Sequence, residues 1–539
     1  MSVARLSEQV RRELTYLEFP AREWTLPHHR NGARVLDVLI VGGGQGGLAT
    51  AFGLKRERIT NFRIVDRNPR GLEGPWRRFA RMNGLRTSNE VTGIDLGIPS
   101  LTARAWYEAR FGRQAWEQIG RMPRLQWREY LDWYRDVLEL PVENDTEVTS
   151  IEPAGDLLLA RLSRKGRTKR VHARKIVLAT GIEGSGHWRA PQQLVTNLPF
   201  KRYAHSVDDI DFSQLAAKRV GVLGIGASAL DNAAAALEAG AAKVDVCFRR
   251  ADIPRVNLLT WMNFAGMLGH FGELNDLQRW RYMRRLMEEA PLPPPQEAFW
   301  RCRKFENFSW HADCPWHSIR ERGDCAVVET KTGRFTFDFI IFATGFDTDL
   351  SARPELAPIV HHIALWRDRF TPPPGEENDL LGRHPYLGSA FEFTERKPGT
   401  APFLSRLHNF TLGALPSLGI TGAAVTGIRY GVPRLVNGVV RDLFREDAAA
   451  YYQNFLKYAE PELESLETEF AWIERLANEA LSGVESLAAA LQRELASRRS
   501  SRHKAGRIRS DRSRGKRAGA RARPKRDTAR SMKQPRHGK

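Results

Sequence analysis

Val35-Leu36-Asp37-Val38-Leu39-Ile40-Val41-Gly42-Gly43-Gly44-Gln45-Gly46-Gly47 is an apolar strand running straight into a glycine loop. The same pattern returns at Arg219-Val220-Gly221-Val222-Leu223-Gly224-Ile225-Gly226-Ala227-Ser228-Ala229. Each is a G-x-G-x-x-G/A read on Gly42, Gly44 and Gly47 or on Gly224, Gly226 and Ala229, followed by an Ala-rich helical stretch. The first glycine turns the chain tightly out of the strand. The second lets backbone N–H groups approach a pyrophosphate, and the third position stays small so that the helix packs on the sheet with its positive end toward the phosphates. Gly46 and Ser228 lie within the same loops. One such loop is weak evidence; two, each between a strand and a helix, imply two bound dinucleotides and electron transfer between them.

The residues in register with the loops separate the two nucleotides. After the first, the chain reaches Phe62-Arg63-Ile64-Val65-Asp66 with Arg67 beside it, and an acid at the end of that strand accepts hydrogen bonds from a ribose diol, as an FAD or NAD adenosine presents. After the second, Lys243-Val244-Asp245-Val246-Cys247-Phe248 ends in Arg249-Arg250, two guanidinium groups that suit a 2′-phosphate. FAD at the first loop and NADPH, rather than NADH, at the second are therefore expected.

The order of these motifs resembles the class B flavin-dependent monooxygenases, the group of flavin-containing monooxygenases, Baeyer-Villiger enzymes and amino-acid N-hydroxylases. Gly74-Pro75-Trp76 resembles the family's Gly-Gly-x-Trp. Ile176-Val177-Leu178-Ala179-Thr180-Gly181 and Ile340-Ile341-Phe342-Ala343-Thr344-Gly345 resemble its two Ala-Thr-Gly strands, and His205-Ser206 resembles the histidine of its identifying sequence. The similarity spans about residues 35 to 445. It departs in two places. Phe200 stands one place too near His205, with no glycine between and no aromatic after, which weakens a Baeyer-Villiger reading. Where flavin-containing monooxygenases carry Leu-x-Thr-Asn, this chain reads Leu85-Arg86-Thr87-Ser88-Asn89, with the asparagine displaced by one.

The resemblance implies that NADPH reduces FAD, that reduced flavin and molecular oxygen form a C4a-peroxyflavin, and that nitrogen or sulfur of a small-molecule substrate takes the oxygen. Because the cofactor carries the hard chemistry, no catalytic triad is expected. On this reading Gly42, Gly44, Gly46, Gly47, Asp66, Arg67, Trp76, Thr180, Gly181, His205, Gly224, Gly226, Ser228, Ala229, Arg249, Arg250, Thr344 and Gly345 hold the cofactors. Arg86 and Asn89 are the catalytic candidates, and with Trp76 form a flavin-facing wall. Two other classes stay open: an NADPH-dependent flavoprotein reductase or oxidase without oxygen insertion, and an FAD-binding protein whose basic tail engages nucleic acid.

The fold expected is α/β, with two Rossmann-like domains, the FAD domain discontinuous and the NADPH domain inserted in it. Residues 1–34 are an N-terminal arm, 35–199 the first part of the FAD domain, 200–338 the NADPH domain and 339–445 the second part of the FAD domain. A helical insertion near 102–140 carries Trp106, Tyr107, Trp116, Trp127, Tyr130, Trp133 and Tyr134 at near-helical spacing and reads as a packed lid. The strand 335–344 is expected to return the chain to the first domain, and 446–497 to be an amphipathic helical extension that either covers the body or mediates self-association.

A chain of 539 residues exceeds one core, and its 42% apolar content is ample for burial. Four cysteines, Cys247, Cys302, Cys314 and Cys325, with no C-x-x-C, exclude a disulfide scaffold and a thiol-pair reductase and suit a cytoplasmic setting. His311, Cys314 and His317 have metal-like spacing, but their aromatic neighbours point to packing, so no metal is expected. The net charge of +20 is local: residues 498–539 hold 18 Lys plus Arg against 2 Asp plus Glu, leaving +4 for the rest. That tail lacks the apolar residues to fold alone and is expected to be disordered, either binding polyanions weakly or serving only as a solubilising extension. The uncharged run 409–428 approaches the length of a membrane span, but Pro416 and its glycines mark it as a loop entering the last helix of the FAD domain. No membrane span is expected.

Overall fold

The computed structural model describes residues 2–17, 22–90, 93–289, 292–420, 424–463 and 468–513, with side chains to 499. Residues Met1–Tyr451 form one compact unit and Tyr452–Lys539 a second.

The first unit is organised by two sheets. Leu36–Val41, buried at every position, is flanked by parallel strands Phe62–Val65 and Arg167–Leu178, with Val142–Glu143 outside the former and Leu407–Asn409 on the latter. An unbroken Leu/Ile/Val run suits a central strand covered on both faces. Arg167–Leu178 serves twice: its end runs parallel to Leu36–Val41, while its beginning pairs antiparallel with Leu157–Arg164, itself paired with Glu147–Ala154. Helix Gln45–Arg56 covers the sheet and meets the helix Val425–Glu446, where a Cβ on Gly53 would lie 2.9 Å from Val436 and 3.0 Å from Val432.

The second sheet is wholly parallel, in the order Tyr203–His205, Phe339–Phe342, Arg219–Leu223, Lys243–Cys247, Phe308–His311. It corrects the expected boundary at 338/339. Phe339–Phe342 belongs to this sheet, and residues 333–337 form the edge of a separate antiparallel sheet with Trp316–Arg322 and Cys325–Thr330. The chain returns only after Gly345. There Phe346–Thr348 pairs antiparallel with Gly186–Trp188, the outgoing crossing, so both links between domains lie in one ribbon. The contact is tight: a Cβ on Gly186 would stand 2.0 Å from the Asp347 carbonyl oxygen.

The 102–140 insertion is helical over Ala103–Phe111, Arg113–Gln118 and Arg124–Val137. Its aromatics are core: all seven named above are buried except Trp133, which is half-buried. Tyr130 Oη donates to the Leu101 carbonyl at 2.8 Å and Tyr134 Oη to that of Ile94 at 2.7 Å, leaving both hydroxyls satisfied.

The second unit contains the helix Glu469–Ser513. It runs past the expected limit at 497, so residues 498–513 of the tail expected to be disordered are helical; 514–539 lie outside the described residues. Among the described residues no helix is long and apolar enough to cross a membrane.

Candidate functional site

The two glycine loops are built alike. Gly42 has φ +110° and Gly224 φ +133°, both conformations that disfavour side chains. A Cβ on Gly42 would lie 2.5 Å from the Ala179 carbonyl oxygen, and one on Gly224 2.3 Å from that of Ala343. The alanine of each Ala-Thr-Gly therefore backs the first glycine of its loop. At the third position a Cβ on Gly47 would fall 1.9 Å from the Gly42 oxygen, whereas Ala229 fits fully buried. The middle positions differ from both: a Cβ on Gly44 or Gly226 would meet nothing within 4 Å.

Those two open glycines are the N-caps of helices Gln45–Arg56 and Ala227–Glu238, which have no side-chain cap and no acidic residue in the first turn. Open space in front of uncapped N–H groups at the positive end of a helix dipole is what a pyrophosphate requires. Gly46 is buried behind the loop and its carbonyl accepts from Thr50 Oγ1, while Ser228 presents an exposed side chain in the first turn of the second helix.

Asp66 is buried, accepting from the Gly43 N–H at 2.8 Å and from the Asn68 N–H at 2.8 Å. Burial raises its pKa above the usual carboxylate range, against the pull of these hydrogen bonds. Arg67 pairs with Glu183 just beyond Thr180-Gly181, where Thr180 Oγ1 is buried without a partner and Gly181 has φ +74°. In the second domain Thr344 and Gly345 are exposed, the latter with φ +93°. Arg249 is exposed and Arg250 half-buried, and among the described residues neither has an ion-pair partner.

His205 is buried at the crossover ribbon, its ring 5.6 Å from that of Trp188 and its backbone N–H donating to Asp208 at 2.7 Å. Desolvation lowers its pKa, keeping the imidazole neutral. Trp76 is buried against Trp127, with ring centroids 6.3 Å apart, and its carbonyl accepts from Arg124.

Arg86 and Asn89 each have partners within the protein. The Arg86 guanidinium pairs with Asp231, on the helix that follows the second glycine loop, and so bridges the two domains. Burial lowers the Arg86 pKa and raises that of Asp231. Asn89 spends both ends of its amide on backbone, donating to the Ile119 carbonyl at 2.9 Å and accepting from the Met122 N–H at 2.8 Å. The structure makes it a tie for the turn between two helices of the insertion.

Three features escaped the sequence reading. Gly43 supplies the N–H that fixes Asp66. Glu73, wholly buried, accepts from the Gly71 N–H at 2.7 Å, Arg128 at 3.2 Å, Arg135 at 3.1 Å and Asn144 at 2.7 Å, and so ties down the loop after Asp66. Asp231, also 3.5 Å from Arg301, had a legible signal: it is the one charged residue in the stretch Ala227-Ser228-Ala229-Leu230-Asp231-Asn232-Ala233. The His311, Cys314 and His317 side chains do not converge. His311 lies 2.8 Å from Asp245, Cys314 is buried and His317 is exposed.

A mixed sheet and a wholly parallel one, each with a glycine loop after a central strand and an open helix end, joined by a two-stranded crossover, define an oxidoreductase of the two-dinucleotide class. A family model described as pyridine nucleotide-disulphide oxidoreductase matches residues 39–261. The chain is 42% identical over 462 residues to an FAD-dependent urate hydroxylase of Xanthomonas campestris pv. campestris, an alignment covering 86% of this chain and 97% of the relative. It belongs to that hydroxylase's family. Among solved structures it is similar to the ornithine N-hydroxylase of Kutzneria sp. 744, with 17% identity, TM-score 0.58, and coverage of 76% of this chain and 99% of that one. It is also similar to the L-lysine 6-monooxygenase of Pseudomonas syringae, with 18% identity, TM-score 0.57, and coverage of 75% and 99%. These last two likenesses concern the fold.

Proposed function

We infer that the protein is an FAD-dependent, NADPH-using monooxygenase whose substrate is urate or a purine of the same oxidised, anionic kind. The observation that carries this is the likeness to a urate hydroxylase over 97% of that relative, in a chain that retains two open nucleotide cradles. The overall balance is substrate, oxygen, NADPH and a proton in; hydroxylated substrate, NADP⁺ and water out. When bound, FAD supplies the two-electron relay and the activation of oxygen, with NADPH as hydride source.

The chain's own residues bind and orient. In this reading Gly44 and the open end of Gln45–Arg56 receive the FAD pyrophosphate, and Asp66, held by Gly43 and Asn68, takes the ribose diol. Gly226 and Ser228 receive the NADPH pyrophosphate, and Arg249 and Arg250 the 2′-phosphate. Arg86 is a positioning residue, joining the helix of the second cradle to the first domain through Asp231. The description of the matching family model does not extend to thiol chemistry here. Cys302 is buried and its thiol is pushed up to about 12 by desolvation, and burial likewise raises that of Cys247, the reverse of what a reactive thiolate needs.

All four nitrogens of urate are acylated and poorly nucleophilic, so the acceptor in this reading is a ring carbon, where the motif resemblance alone points to nitrogen or sulfur. A reducing cytoplasm suits the free cysteines, and the basic tail supplies a weak, salt-dependent affinity for polyanions separate from turnover. The test is turnover of urate beside ornithine and lysine with NADPH. Urate absorbance should fall in step with NADPH, with little hydrogen peroxide. NADPH oxidation indifferent to urate, with stoichiometric peroxide, favours the reductase or oxidase reading instead.

A further inference from the structure

The second unit carries an apolar face that the chemistry above does not use. On the helix Glu469–Ser513, Phe470, Ile473, Ala477, Ala480, Val484, Leu487 and Leu491 recur at alternating steps of three and four residues, with Leu481, Ala488 and Leu495 beside them. This is a continuous stripe on one side of a helix. Within its own unit the stripe is exposed, Phe470 to 87% and Leu487 to 65%. We propose that this face is the self-association surface of the protein, on which two copies pair their helices antiparallel.

Three observations choose that occupant and that direction. The first is area. Seven large apolar side chains of this face are substantially exposed; at about 100 Å² each they offer roughly 700 Å² per chain, close to the share one partner contributes to a standard stable interface.

The second is volume. In an antiparallel pair centred on residue 482, Ile473 of one copy meets Leu491 of the other, Ala477 meets Leu487, and Ala480 meets Val484. Each of these three pairings sets small against large or joins two branched side chains, the alternation a packed seam requires. A parallel pair would stack Ala477 on Ala477 and Ala480 on Ala480, leaving two adjacent layers underfilled.

The third is charge. The segment from Glu460 to Glu485 is acidic, with Glu460, Glu462, Glu464, Glu467, Glu469, Glu474, Glu479 and Glu485 against Arg475. The segment after Leu495 is basic, with Arg498, Arg499, Arg502, Lys504, Arg507, Arg509 and Arg512 against Asp511. A parallel pair would set basic segment against basic segment, whereas the antiparallel register places the two basic segments at opposite ends of the paired helices. The acid-rich polar face over 469–497 also disfavours an anionic membrane, which selects a Lys/Arg-rich one.

The test uses the full chain loaded with FAD. Sedimentation velocity at micromolar concentration should give a dimer or a higher even assembly. The double variant L487E/L491E should sediment as a single chain at the same concentration with its FAD content unchanged. Direction is read by cross-linking. Chains carrying I473C should join chains carrying L491C under mild oxidation, with little joining of like with like and none above the background of the natural protein alone. A natural chain monomeric at all concentrations, a double variant that still dimerises, or like-with-like cross-linking would each overturn the proposal. So would a monomer whose helix is protected only on vesicles containing phosphatidylglycerol, which would assign the face to a membrane.

Discussion

Replacing Gly226 by alanine separates a glycine needed for packing from one needed for a ligand. Gly226 has φ −71° and ψ 179°, which alanine adopts freely, and its added Cβ would meet nothing within 4 Å. Alanine is a poorer N-cap than glycine by up to about 1 kcal/mol, but loses less backbone entropy on folding by about 0.4–1 kcal/mol, so the two effects nearly cancel. The folded protein should therefore keep its melting temperature within a few degrees and retain its FAD. The methyl group, however, occupies the space where the NADPH pyrophosphate approaches the N–H groups of the helix end. Losing one charge-assisted hydrogen bond costs about 1.5–3 kcal/mol, so the KM for NADPH should rise about 10- to 100-fold. Steady-state kinetics with melting and flavin absorbance as controls make the assay. Gly224→Ala is the contrast: with φ +133° and the Ala343 oxygen 2.3 Å from its Cβ, it should fail to give folded protein. A Gly226→Ala enzyme with unchanged KM would refute the assignment of this loop.

Arg249→Gln with Arg250→Gln should reduce the preference for NADPH over NADH by about tenfold or more, through lost charge-assisted contacts to the 2′-phosphate, with flavin binding intact; competition kinetics with the two nucleotides read this directly. Arg86→Ala leaves the buried Asp231 carboxylate with only the longer Arg301 contact, so it should cost about 1–3 kcal/mol in urea unfolding and slow anaerobic reduction by NADPH, with Arg86→Lys restoring part of both. Asn89→Ala should lower stability by about 1–3 kcal/mol through two lost backbone contacts while leaving product formed per NADPH unchanged; a stable variant with collapsed coupling would return Asn89 to the flavin. His384 and His408 are buried, and desolvation lowers each to about 4. The unfolded imidazoles take up protons from about pH 6.5 while the folded ones do not, so their contribution is complete above pH 6.5 and is lost as pH falls toward 4, at most about 3 kcal/mol each. Urea midpoints at pH 7.5 and 5 measure the loss, and His408→Gln should flatten the slope.

Both sheets were legible because the signals were local. Leu36–Val41 and Arg219–Leu223 are apolar runs that end at glycines whose backbone angles admit little else. Asp66 sits at the end of the next strand, where its position follows from the length of one helix. The domain boundary was misread because residues 333–337 and 339–342 are almost continuous in sequence as strand formers; only Asp338, which turns the chain between two sheets, divides them. The contacts of Arg86 and Asn89 were not legible either. Both face partners far along the chain, Asp231 in one case and the Ile119–Met122 turn in the other, and a displaced family motif says nothing of such contacts. The Glu73 network escaped for the same reason, since its cations come from a helix more than fifty residues away.

The central claim is that two nucleotides held in one chain exchange electrons, and anaerobic mixing of the FAD-loaded protein with one equivalent of NADPH tests it most directly. The oxidised flavin absorbance should be lost within the turnover time, with stoichiometric NADP⁺ and, on admitting oxygen with urate present, about one equivalent of hydroxylated product. Flavin that stays oxidised while NADPH binds to the same chain would contradict it.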